Sequence, residues 1–202
     1  MTMATWMFGA WAVKPTVTPP STLDPTKTGA NLTLSGGNLT VTNTVAATWA
    51  ASIGTLSHSS GKFYFEAAMV VDVAGNMVVG LMDATTETWN AYFIGQDTHS
   101  WGYVGVNGDT VHNTSFTSFG ATYAQGDVIG VAVDFGTGNA WFAKNNTYQA
   151  SGNPATGANP ALTGLSGPLF PGISLFDSTN QITVAFSSGN SFSPPSGFSL
   201  WG

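Results

Sequence analysis

The 202 residues contain no cysteine and no arginine, and only 7% of positions carry a charge. Without thiols there is no disulfide framework, thiolate zinc site, iron–sulfur ligation or thiol nucleophile. The four cations, Lys14, Lys27, Lys62 and Lys144, are scattered along the chain. No cluster of positive charge is available to displace counterions from a phosphate backbone, so nucleic acid is not expected as a partner. Long apolar runs are missing too. The run near the start, Ala4 to Val13, is too short to span a bilayer, so membrane insertion is not expected. No basic residue precedes that run and Lys14 follows it, which is the wrong order for a secretory signal peptide.

Hydrophobic residues make up 43% and aromatics 12% of the chain, enough for a core of single-domain size, and disorder of the whole chain is excluded. Polarity comes mainly from Gly, Thr, Ser and Asn, a surface that forms hydrogen bonds with little charge. Large apolar side chains crowd the start, where Met3, Trp6, Met7, Phe8 and Trp11 would form an exposed patch unless a partner covered them. They are assigned as a partner-docking arm. Pro15, Pro19, Pro20 and Pro25 then mark an extended linker, so residues 1–24 are read as arm and linker and 25–202 as one domain.

From there, stretches rich in Val, Phe, Tyr, Thr and Ile recur between Gly, Asn, Asp and Pro clusters, which predicts an all-β antiparallel sandwich. Asn31 to Leu34 and Asn38 to Thr42 alternate around Gly36-Gly37 and predict an opening hairpin. In Lys62 to Val73 the residues Phe63, Phe65, Ala67, Met69 and Val71 share a core face, with Lys62, Tyr64, Glu66 and Asp72 opposite. Val128 to Val133 is apolar on both faces, as in a central strand covered on both sides. Asn107-Gly108 supplies the residues a type I′ turn demands and predicts a hairpin from Trp101 to His112. A second tight turn, Phe135 to Ala140, leads into Trp141 to Lys144; a long loop fills Tyr148 to Pro168, and strands resume at Leu169 to Leu175 and Gln181 to Ser187.

The order of these segments resembles a SPRY domain. Ser60-Gly61-Lys62-Phe63-Tyr64-Phe65-Glu66 is similar to the family's early Ser-Gly-Lys-x-Tyr-Trp-Glu strand, with Phe65 where Trp is usual. Ser100-Trp101-Gly102-Tyr103, the Asn-Gly hairpin and His112-Asn113 match its central segment. Gly126-Asp127-Val128-Ile129-Gly130 through Asp134, then Phe142-Ala143-Lys144-Asn145-Asn146, resemble its Gly-Asp-x-Ile-Gly and Phe-x-Lys-Asn-Gly pair, with Asn146 in place of the turn glycine. Leu169 to Ser174 and Ile182 to Phe186 complete the series. The resemblance implies a concanavalin-like jelly-roll sandwich, and a binding module whose loops recognise a protein or peptide without catalysis. Leu23-Asp24-Pro25 with Gly29-Ala30-Asn31, and Pro194-Pro195-Ser196-Gly197-Phe198, are further similar to SPRY-like proteins of tailed bacteriophages and prophages.

For ligand chemistry, Asp83, Thr85, Glu87, Trp89, Asn90 and Tyr92 place aromatic and hydrogen-bonding side chains in one stretch, as sugar recognition requires. Catalytic signals are weak. A glycan hydrolase needs two carboxylates across a cleft, for which Asp83 and Glu87 are the candidates; no Gly-x-Ser-x-Gly elbow accompanies the serines and histidines. His58, His99 and His112 lack metal-ligand spacing. No catalytic residue, metal or cofactor is therefore assigned. The expectation is a non-enzymatic virion component, in a homo- or hetero-oligomeric assembly. Its arm would dock on capsid or tail proteins and its sandwich would meet a host protein or glycan, after synthesis in the host cytoplasm without a signal peptide. A stand-alone carbohydrate- or receptor-binding module and an all-β glycan hydrolase are the alternatives.

Overall fold

The computed structural model describes residues 20–85 and 89–202. The arm residues Met3, Trp6, Met7, Phe8 and Trp11, and Glu87 of the loop, lie outside the described residues. The strands are β1 (Leu23–Thr28), β2 (Leu32–Ser35), β3 (Thr40–Asn43), β4 (Ala50–Gly54), β5 (Lys62–Val71), β6 (Met77–Met82), β7 (Ser100–Val104), β8 (Asp109–His112) and β9 (Ser115–Ser118), then β10 (Val128–Asp134), β11 (Asn139–Lys144), β12 (Thr147–Tyr148), β13 (Phe170–Leu175), β14 (Gln181–Ala185) and β15 (Ser199–Leu200). A 3-10 turn at Gln149–Ser151 is the one helical element among the described residues.

Two sheets stack face to face as an antiparallel sandwich. One has seven strands in the order β1-β4-β13-β6-β7-β8-β9; the other has eight, β12-β11-β10-β5-β14-β3-β2 with β15 beside β5. Between them lies a single large cluster that includes Phe65, Met69, Val79, Leu81, Tyr103, Val131, Phe142, Ile173, Ile182 and Trp201. Alternation in the strands puts these side chains inward, and burying one such side chain is worth about 1.5–3 kcal/mol. The expected hairpins form: β2 pairs β3 across Gly36-Gly37, and β7 pairs β8 with Trp101 opposite His112. β10 lies between β5 and β11, as its two apolar faces predict.

The turn chemistry differs from expectation at one place. In the β7–β8 loop only Gly108 has a positive φ, +76°, so Asn107-Gly108 is not a type I′ turn. The connection is wider, closed by Gly108 N–H donating to Val104 carbonyl at 3.0 Å. Asn107 Oδ1 instead accepts from Asp109 N–H. Gly108 is required for a second reason, because a Cβ there would lie 2.2 Å from the Gly120 carbonyl oxygen. The two-residue turn with both central φ positive occurs at Asn113 (50°) and Thr114 (56°), joining β8 to β9.

Both sheets are also covered outside. On the eight-stranded sheet Tyr64, Ala132 and Trp141 form a small cluster beneath Tyr148, Phe198 and Leu200. β14 leaves β5 after Ala185 pairs with Glu66, and β15 fills the vacated lane in parallel, with Ser199 opposite Phe63. The chain then drops Trp201 into the core, with its Nε1–H donating to Leu56 carbonyl at 2.9 Å. Gly202 ends beside Ser21, so close that a side chain at 202 would collide with it.

Candidate ligand-binding surface

Register places the end of β6, the start of β7, the end of β8 and the start of β9 at one end of the seven-stranded sheet, since Met82 pairs with Ser100 and His112 with Ser115. The β6–β7 connection folds back over the outer face of this sheet. Its Tyr92 and Ile94 pack on Ala51, Ile53, Val78, Met82 and Phe170. Gly172 makes room, because a Cβ there would come 2.8 Å from Ile94 Cδ1. Ile94 N–H donates to the buried Ser174 Oγ at 2.9 Å, which pins the loop to β13.

Two polar knots hold the loop's ends. In the first, Tyr92 hydroxyl donates to Asp97 Oδ1 at 2.8 Å and lies 2.7 Å from Ser100 Oγ, which also takes Gly95 N–H at 2.6 Å. In the second, Asp83 carboxylate accepts from Thr85 N–H at 2.9 Å and from the Thr85 hydroxyl, and meets His99 Nδ1 at 2.9 Å. Burial pushes the Asp83 carboxyl up, but the Thr85 donors and the His99 ring together hold it below its ordinary value. The hydrogen bond and charge of Asp83 raise His99 in turn, with a smaller push from Asp97.

The loop also clamps the β8–β9 tip. Asn113 N–H donates to Asp97 carbonyl and Thr114 N–H to Gly95 carbonyl, both at 3.0 Å. A β-branched residue such as Thr114 rarely adopts a left-handed φ, and here external contacts impose it. Behind the tip, on the inner face, a cleft of about 320 Å³ opens between β7–β9 and residues 161–163. Its floor is Trp101 stacked on His112, with ring centroids 4.7 Å apart and planes within 3° of parallel. Thr110, Ser115 and Thr117 supply hydroxyls around it.

The structure therefore joins Asp83 and Thr85, as the sequence suggested, and adds His99 to them. It sets Tyr92 and Trp89 elsewhere. Tyr92 is 4% exposed, its ring committed to packing on the sheet; Trp89 is half-buried against the same cluster, and its carbonyl accepts Ala51 N–H. Asn90 Oδ1 holds Ala30 N–H at 2.7 Å. The Trp101–His112 cleft is not among the sequence-based candidates, where Trp101 stands as the start of a predicted hairpin. The predicted cross-strand pairing of these two residues was the signal that would have found it.

Charged motif residues are occupied structurally. Lys62 pairs with Asp134 and Lys144 with Asp127, each at 3.0 Å, while Lys27 lies over the Phe170 ring. Burial opposes ionisation of Asp127 and Asp134, yet their hydrogen-bond donors and lysine partners hold both carboxyls below the ordinary value. Among the described residues, no group of three or more His, Asp or Glu is placed to hold a metal ion.

A family model described as the SPRY domain matches residues 62–189. Among solved structures, the SPRY domain of human HERC1 superposes with a TM-score of 0.67 at 17% identity, covering 81% of this chain and 96% of that one. A further human SPRY domain gives 0.65 at 17% identity, covering 79% and 98%. These likenesses show the fold. A protein named "Probable ATP-dependent RNA helicase ddx1" from Dictyostelium discoideum is 31% identical over 97 residues, which span 48% of this chain but only 12% of that protein.

Proposed function

Because the chain belongs to the SPRY domain family, whose members are typically non-catalytic modules of protein–protein interaction, we propose that it works by recognition rather than turnover. The surface used is the end of the seven-stranded sheet where the β6–β7 connection, the β8–β9 tip and the Trp101–His112 cleft adjoin. One observation carries this reading. The cleft floor offers an aromatic pair and hydroxyls with no carboxylate in its lining, whereas glycoside hydrolysis needs two flanking carboxyl groups. Asp83, the described member of the Asp83/Glu87 candidate pair, is engaged by Thr85 and His99. The test is binding of host surface protein or glycan by the whole chain and by Trp101→Ala. Loss in the variant supports the reading, and turnover of host polysaccharide abolished by Asp83→Asn would replace it with a hydrolase.

For the whole protein, the reading is a bacteriophage virion component, a decoration, fibre or adhesion protein of capsid or tail. It is made in the host cytoplasm and docked on other virion proteins by Met3, Trp6, Met7, Phe8 and Trp11. Support comes from the phage-like strings at both ends of the sandwich and from the scarcity of charge, since packing against neighbours then strands few unpaired ions. Mass spectrometry and imaging of purified particles test it. Absence of the chain from the particle, with host binding by the free monomer, would favour the stand-alone module instead.

A further inference from the structure

We propose that the chain captures an extended, uncharged peptide segment of its partner by strand addition to β9, with alternate peptide side chains entering the Trp101–His112 cleft. The inference rests on the recognition reading above and adds the partner's chemistry and the binding mode.

β9 is the last strand of its sheet, pairs only with β8 among the described residues, and has all four residues exposed. His112 and Ser115 close the two-residue turn at Asn113-Thr114. In such a hairpin the closing pair shares both backbone hydrogen bonds. Alternation then turns the peptide groups of Ser115 and Thr117 toward β8 and those of Phe116 and Ser118 outward, as unused donors and acceptors. Native edges are normally guarded by charge, proline or a bulge. From Asn113 to Gly126 there is no charged residue and no proline, and the β8–β9 register runs without a shift.

What flanks the edge suits a peptide on both faces. Inside, Ser115 and Thr117 belong to the cleft lining, so a strand laid about 4.8 Å further out would send every second side chain to the cleft mouth over Trp101 and His112. Outside, Phe116 is 51% exposed and stands 6.3 Å from Phe93, which lies 5.5 Å from Trp49. The remaining side chains would meet this aromatic strip. The cleft lining carries neither carboxylate nor ammonium, so a charged peptide side chain entering it would lose hydration without a counter-ion. The tip is also held in place in advance by the Gly95 and Asp97 carbonyls, which lowers the ordering cost of binding. A second copy of this chain is the less suited occupant, since pairing two four-residue strands falls short of the ~1,000 Å² that a stable dimer buries.

The experiment selects random linear peptides against the full chain and measures the affinity of the winners for three variants. Ser118→Pro removes an outward N–H, a change an edge strand tolerates; Ser118→Ala is its control, and Trp101→Ala empties the cleft floor. Melting curves check folding, and N-methylation along the peptide gives an independent readout that leaves the protein untouched. The expected result is uncharged winners, affinity reduced at least about tenfold by Ser118→Pro but not by Ser118→Ala, and N-methyl sensitivity at every second position. Peptides that bind but are indifferent both to Ser118→Pro and to N-methylation overturn strand addition while the recognition reading stands. A chain that binds no peptide but binds glycans through Trp101 overturns strand addition and leaves the recognition reading standing, whereas a chain that binds neither peptide nor glycan overturns both. Conversion of a dimer to a monomer by Ser118→Pro assigns β9 to a second copy and also overturns the proposal.

Discussion

Replacing Glu66 should loosen the strap that covers the outside of the eight-stranded sheet. The carboxylate is 2% exposed, and its three partners are neutral: Tyr64 hydroxyl at 2.8 Å and Phe192 N–H at 2.9 Å on Oε1, and Ser191 N–H at 2.6 Å on Oε2. Hydrogen bonds to a charged acceptor are worth about 1.5–3 kcal/mol each, and an abandoned buried donor costs about 1–3 kcal/mol. A hollow of about 220 Å³ beside Glu66 lets water reach the orphaned amides, which favours the low end for each. Glu66→Ala should therefore cost about 3–4 kcal/mol, a large share of a typical 5–15 kcal/mol. Glu66→Gln keeps one acceptor but turns an amide donor toward a donor, and should cost about 2 kcal/mol. Urea unfolding measures the totals, and amide exchange at Ser191 and Phe192 tests their origin. The reasoning fails if Glu66→Ala costs less than about 1 kcal/mol or leaves those two amides protected as before.

Trp201→Ala should cost about 3–5 kcal/mol by urea unfolding, because the ring is fully buried against Phe63, Phe65 and Phe135 and its N–H is committed to Leu56; a neutral result would remove it from the core. Thr114→Gly should stabilise by about 0.5–1 kcal/mol, since glycine relieves the left-handed backbone at φ 56° at a smaller entropic cost, and an unchanged or lower midpoint refutes that strain. His99 has a raised pKa in the fold and Asp83 a lowered one, so their pairing is fully stabilising between the ordinary Asp and His values of 3.8 and 6.5. It is lost as pH falls through the Asp83 value or rises through the His99 value. In Asp83→Asn the His99 midpoint followed by NMR should drop toward 6.5, and an unmoved midpoint would dismiss the pair.

Much of the fold was legible because single strands advertise their period. Phe65, Ala67 and Met69 alternate as a core face, and Val128 to Val133 shows apolar residues on both sides of a central strand. Contacts between segments distant in sequence were not legible. Tyr64 and Glu66, on the alternate face of β5, are buried only because residues 191–200 return across them, and no local pattern announces that. β9 has the composition of a loop, and its turn uses Asn113-Thr114 where Asn107-Gly108 was the stronger local signal. The wide β7–β8 loop won because Gly108 must pass beneath Gly120. At the candidate surface, Asp83 and Thr85 were readable as near neighbours. Their meeting with His99, and the cleft beneath Trp101, depend on strand register.

The contact between Gly202 and Ser21 brings the two limits of the sandwich to one point on the β1 side of the seven-stranded sheet. β9 is the opposite border, six strand spacings or about 29 Å across the sheet. A host polypeptide could therefore carry the sandwich as an inserted bead on a single stem. A circular permutant joining residue 202 to residue 20 by a short linker should fold, opening new ends elsewhere. In either arrangement the mount and the free border face opposite directions, so the module can be grafted or immobilised without shading the strand that would receive a guest.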